Sequence, residues 1–131
     1  MTHAINDWGL FALLAIDVQQ DFWGESNQKN FPRFPSNLAR LLSWSRGQGL
    51  EVVHLRAGFR PDRSDWMVRY RLFGRIPCVE GTPGITTLHF AAEQPGEAVF
   101  LKQSFDGIPI RDQFAVVLTD RNTIDARQLR Q

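Results

Sequence analysis

Cysteine is nearly absent from this sequence. Only Cys78 occurs among 131 residues, which excludes an internal disulfide framework and a multi-cysteine zinc site. A charge imbalance is missing as well: fifteen lysines and arginines face fourteen aspartates and glutamates, for a net charge of +1. Such a balance offers no electrostatic footprint for nucleic acid or for an anionic membrane. Long hydrophobic runs are lacking too. The longest, Leu10 to Ile16, is seven residues, against the roughly twenty needed to span a bilayer. Met1 to Asp7 carries no basic n-region of a secretory signal. No repeat, low-complexity segment or Gly/Ser linker divides the chain. These absences point to a single domain over residues 1–131, cytoplasmic in type, with neither nucleic acid nor membrane as partner. Its 43% hydrophobic and 22% charged residues suit a soluble globular domain. At this length folding buries roughly two thirds of the unfolded surface, so a core needs no metal.

The run ending at Ile16 does not alternate with polar residues, which predicts a strand buried on both faces of a parallel sheet. Residues 18–35, rich in Gln, Asn, Phe and Gly, read as a loop with apolar anchors. Ser36 or Asn37 is placed to cap a helix whose apolar face is Leu38, Leu41, Leu42 and Ser45, ended by Gly47 and Gly49. Leu50 to Arg56 is short and β-branched, a second buried strand. Strand, helix and strand at this spacing make a βαβ unit. Residues 57–97 hold four prolines and five glycines, an irregular excursion of the kind that is usually functional. Ala98 to Leu101 reads as a third strand, Phe114 to Leu118 as a fourth, and Thr123 to Gln131 as the start of a helix. The fold class is α/β.

In open parallel sheets ligands bind outside the carboxyl ends of the strands. Asp17 follows the first buried run directly and Lys102 follows the third. If those strands are parallel neighbours, an acid and an amine emerge at one sheet edge. That pair serves as general acid or base with a charge-stabilising cation, or as a structural ion pair. Asp21 reads as a turn or cap residue. Cys78, between Pro77 and Val79, reads as a small buried hydrophobe, since no activating base or helix N-terminus accompanies it. His3, His54 and His89 lack metal-site spacing, so no metal and no cofactor is expected; His54 packs inside a strand. Phe22 and Trp23, in the loop after Asp17, and Trp66 in the long excursion either wall a ligand cleft or make a subunit interface.

The stretch Ala12-Leu13-Leu14-Ala15-Ile16-Asp17-Val18-Gln19-Gln20-Asp21-Phe22 resembles the opening motif of the isochorismatase-like cysteine hydrolase family. Val52-Val53-His54-Leu55-Arg56 with Phe59 to Trp66 is similar to the family's second strand and its loop. Glu80-Gly81-Thr82-Pro83-Gly84 matches its Gly-Thr-Pro-Gly turn, and Pro95 to Gly107 resembles the strand that delivers the family lysine. The resemblance spans residues 11–107. It implies a three-layer, Rossmann-like parallel-sheet fold, a homo-oligomer, and hydrolysis of small amide-like substrates by an Asp-Lys-Cys triad. Asp17 and Lys102 match the family aspartate and lysine, and Phe22, Trp23 and Trp66 are the expected substrate-binding residues. Leu55-Arg56-Ala57-Gly58 stands where the nicotinamidase branch needs an Asp-x-His, which argues against that branch.

The family nucleophile follows the lysine on a later loop, often in a Thr-x-x-Cys context, and no cysteine follows Lys102 here. The expectation is therefore a chain truncated before that loop, C-terminally incomplete, with a divergent tail over residues 108–131. Three functions follow in order: a family hydrolase inactive as this chain, a non-catalytic domain that binds a small molecule or protein in the family cleft, and an active hydrolase using Asp17 and Lys102 with water or with a residue lent by a neighbouring subunit.

Overall fold

The structure is a computed structural model that describes residues 7–103. Three strands form one sheet in the order β1-β2-β3, all parallel: β1 is Ala12–Ile16, β2 is Glu51–Ala57 and β3 is Ala98–Lys102. The register pairs Ile16 with Leu55, and Ala57 with Lys102. The first three of the four strands read from the sequence are present, and their common direction puts their carboxyl ends on one edge.

Two helices lie between β1 and β2. The first, α1 (Glu25–Asn30), buries none of its residues. A helix that touches no core carries no apolar periodicity, so residues 18–35 read as loop; a 3-10 turn at Gln20–Phe22 precedes it. The second, α2 (Phe34–Gly47), begins earlier than a Ser36 or Asn37 cap would allow. Pro35 sits in its first turn, where φ is already helical and no N–H is needed. The Ser36 hydroxyl instead donates to Arg33 O at 3.2 Å. Leu42 of α2 packs on Val52 and Ala91, with Leu13 and Leu38 beside them. Strand alternation sends Leu14 and Ile16 to the opposite face, where they are 40% and 51% exposed.

A half-buried polar junction fastens α2 to the sheet. Arg46, in the last turn of α2, holds both carboxylate oxygens of Glu97 at 2.8 Å. The buried His54 of β2 lies 3.0 Å from the same carboxylate, which also accepts the Gln94 N–H. The long excursion after β2 contains α3 (Val68–Phe73) and 3-10 turns at Pro83–Ile85 and His89–Ala91. The expected strand at Phe114 to Leu118, the helix from Thr123 and the divergent tail lie outside the described residues. Among the described residues no helix is long and apolar enough to cross a membrane.

Burial pushes the Glu97 carboxyl up, but hydrogen bonds from Arg46, the Gln94 N–H and His54 outweigh it and hold it at about 2. A folded value below the unfolded one stabilises the fold at higher pH and ceases to do so as pH falls through the folded value. Stability should therefore decline as pH drops from about 4.5 toward about 2. Glu97→Gln should flatten that decline in urea unfolding measured across the range, and an unchanged slope would mean that other carboxylates carry it.

Candidate active site

β1 stops at Ile16, and the next residue turns the chain sharply. Asp17 has φ 58°, a left-handed conformation that aspartate tolerates better than most side chains. Its N–H donates to Leu55 O at 2.9 Å, the last bond toward β2. Lys102 ends β3 on the far side of β2. The two residues are thus not on neighbouring strands; one strand separates them, and the long lysine side chain spans it. Lys102 Nζ lies 3.1 Å from Asp17 Oδ1 and 3.3 Å from Oδ2. Lys102 is buried, whereas the Asp17 side chain is one-third exposed. Only the Oδ2 contact has hydrogen-bond alignment, so the solvent-shielded Oδ1 meets no aligned donor among the described residues.

Gln19, which the sequence reading passed over, fixes this turn. It is fully buried. Its Nε2 donates to Ala57 O at 2.8 Å and to Ile85 O at 2.9 Å, while its Oε1 accepts the Ala57 N–H at 2.9 Å. One carboxamide therefore joins the exit of β1, the end of β2 and the Pro83–Ile85 turn. The available signal was its position: a polar residue two places after a buried run, beside a strand-end acid.

Asp21 lies in the Gln20–Phe22 turn, as its turn reading expects, but its carboxylate makes a long-range contact instead of a local cap. Its Oδ2 accepts the Cys78 N–H at 2.7 Å across 57 positions of chain. The same carboxylate fills the space where Gly84 would carry a Cβ, leaving 2.0–2.2 Å to such an atom. The glycine of the Gly-Thr-Pro-Gly turn is there because Asp21 occupies its side-chain volume. Cys78 is fully buried, has φ 60°, and sits in a cluster with Ala57, Phe59, Trp66 and Ile76. Burial, reinforced by the Asp21 and Asp17 charges and only partly opposed by Lys102, pushes its thiol up to about 12. It stays a thiol at neutral pH, and a thiol is a weak nucleophile.

Asp17 and Phe22 line two cavities. The inner one, about 60 Å³, also has Lys102, Phe59, Met67 and Tyr70 on its walls. The other, about 220 Å³, adds Trp23, Phe31, Phe34 and Leu88. Phe22 and Trp23 thus flank Asp17. Trp66 does not: it is 8% exposed in the core cluster, and its Nε1 donates to Arg60 O at 2.7 Å. The excursion sends Met67 and Tyr70 to the cavity instead, and nothing in its unpatterned sequence marked them out. Trp8 and Trp44 meet edge to face on the surface, with centroids 4.9 Å apart. Among the described residues no group of three His, Cys, Asp or Glu is placed to hold a metal ion.

Comparison with known proteins gives these features a context. Residues 11–123 match the Isochorismatase domain. No curated protein matches the chain. A crystal structure of an isochorismatase family protein from Desulfovibrio vulgaris subsp. vulgaris str. Hildenborough superposes with a TM-score of 0.74 at 28% identity, covering 86% of this chain and 62% of that one. A cysteine hydrolase from Pseudomonas syringae pv. phaseolicola 1448A gives 0.74 at 21% identity, covering 88% and 56%. N-carbamoylsarcosine amidase from Thermoplasma acidophilum gives 0.63 at 20% identity, covering 81% and 60%. The last two share the fold. The chain spans 56–62% of the length of these three structures.

Gly84→Ala should drive the Asp21 carboxylate off the Cys78 N–H and lower the unfolding free energy by about 1–3 kcal/mol, the usual cost of overpacking. Calorimetry reads this directly, and an unchanged melt would show that the turn has room to move. Cys78 should resist iodoacetamide at neutral pH in the native chain and react once urea unfolds it. Stoichiometric native labelling would contradict the buried, protonated thiol.

Proposed function

The chain belongs to the isochorismatase family, and we propose that it carries the acid–base half of a hydrolase site for small amide-type substrates. Asp17 accepts the proton and Lys102 is the cation beside it. One observation carries this: Lys102 Nζ stands 3.1 Å from an Asp17 oxygen that has no aligned donor, at the carboxyl edge of a parallel sheet. A carboxylate so fixed takes a proton from an attacking nucleophile and returns it to the leaving nitrogen as the tetrahedral centre collapses. The ammonium offsets negative charge that gathers on the carbonyl oxygen during attack. An inner cavity of about 60 Å³ admits a head group of a few heavy atoms, which suits an amide. Phe22 and Trp23 supply apolar walls for what is attached to it. One of the proteins sharing the fold is named as an amidase, N-carbamoylsarcosine amidase.

Cys78, the sole cysteine, does not attack: its thiol is pushed up to about 12 and buried. The 131 residues therefore bind small amides without hydrolysing them by a cysteine route.

A primary amide should shift the backbone resonances of Asp17, Val18 and Lys102 in a nitrogen–proton correlation spectrum. Asp17→Asn should weaken that binding by about tenfold, the worth of one charge-assisted hydrogen bond. Ammonia release from a panel of small amides should stay at the buffer rate. Release that Asp17→Asn abolishes and Cys78→Ser leaves intact would mean instead that the pair activates water. Shifts confined to residues far from the sheet edge would remove the site altogether.

A further inference from the structure

The inner cavity beside Asp17 and Lys102 lies between two larger ones. It shares Asp17 and Phe22 with the cavity of about 220 Å³, and Tyr70 and Pro77 with a third of about 550 Å³ that Arg69, Phe73 and Arg75 also line. Two directions therefore lead away from Asp17 and Lys102. The first passes Phe22 and Trp23, and the Asp17 side chain is one-third exposed, so solvent reaches its carboxylate. The second runs into Tyr70, with Pro77 beside it.

Tyr70 is a fixed wall. Met67 and Tyr70, three positions apart, both line the inner cavity, whereas Val68, Leu72 and Phe73 are 72%, 83% and 68% exposed. The half-buried Tyr70 packs against the core cluster of Ala57, Phe59, Trp66, Ile76 and Cys78. Its helix is tied down at both ends. The Arg71 guanidinium donates to Trp66 O at 3.1 Å and to Ser64 O at 3.0 Å. The N–H of Gly74, in left-handed conformation, donates to Tyr70 O at 2.9 Å. Pro77 adds a ring whose φ is locked.

We propose that Tyr70 is a specificity-determining residue. Its ring closes the second direction, so an amide seated at Asp17 and Lys102 carries all its bulk on the Phe22 and Trp23 side. An amide with a group on each side of its C–N bond needs both directions and is shut out. This rests on the assignment of Asp17 and Lys102 to the amide, and it adds the residue that limits what that amide can carry.

The test titrates the 131-residue chain with benzamide, substituted on one side, and N-propylbenzamide, substituted on both, and reads affinity from backbone resonance shifts. The parent should bind benzamide about tenfold more tightly or better, the lower range of what a pocket wall achieves against an added group. Tyr70→Ala should bring the two affinities together by strengthening N-propylbenzamide. Tyr70→Leu, run beside it because Tyr70 packs on the core, should do so in part, and melting curves identify the folded variants. Tyr70→Phe should keep the preference, because the ring and not the hydroxyl closes the cavity. Leu72→Ala, at an exposed position on none of the three cavities, should match the parent. Equal affinities in the parent, a preference undiminished in whichever of Tyr70→Ala and Tyr70→Leu folds, or one lost in Tyr70→Phe would overturn the proposal and leave the amide site in place. Binding of neither amide to the parent or to Tyr70→Ala would remove the amide site, and the proposal with it.

Discussion

A carboxamide shut away from water must find all its hydrogen bonds inside the protein, and Gln19 finds them on two other segments. With Ala57 it makes a two-way contact, donating to the carbonyl and accepting from the N–H. A strand partner would do the same with its backbone. In effect the side chain of Gln19 extends the β1–β2 ladder after the backbone of β1 has turned away. Losing any of these bonds would leave a buried polar group unsatisfied, at a cost of about 1–3 kcal/mol each. Because Ala57 is paired with Lys102 in the register, the same contact sets how far Lys102 stands from Asp17.

The backbone around this contact departs from common geometry at two of the residues that matter. Asp17 and Cys78 both have positive φ, which for side chains of this kind costs of order 1 kcal/mol and persists where neighbours impose it. The Asp17 N–H is held by Leu55 O and the Cys78 N–H by Asp21. The surrounding charge then treats the two residues in opposite ways. The Asp17 carboxylate faces the Lys102 ammonium, whereas burial and the nearby carboxylate charges hold the Cys78 thiol in its protonated form. The surroundings of Cys78 thus work against its attack on a substrate.

What the sequence made legible were features with a local signature. An unbroken apolar run at 10–16, a short β-branched stretch at 50–56 and a short apolar run at 98–101 marked the strands, and the parallel direction of the first two followed from the intervening helix. Asp17 and Lys102 stood out because each ends such a run. Long-range partnerships left no local trace. Nothing next to Asp21 pointed to Gly84 or Cys78, and nothing near His54 pointed to Glu97 and Arg46. Trp66 illustrates the limit from the other side. An aromatic in an irregular loop signals burial, but not whether it faces a core or a cleft, and here the core took it while Met67 and Tyr70 took the cleft.

The register of β3 also governs when the site comes into being. Asp17 and Lys102 are 85 residues apart in sequence, and nothing brings them together until β3 adds to β2. Contacts so far apart carry a large loop-closure cost and form late. The helix α2 and the β1–β2 pair are nearer neighbours and stand ready first. Until β3 docks, Asp17 has no cation beside it. A fluctuation that parts β3 from β2 would separate the pair, so the geometry of the site is tied to the local stability of that strand pairing.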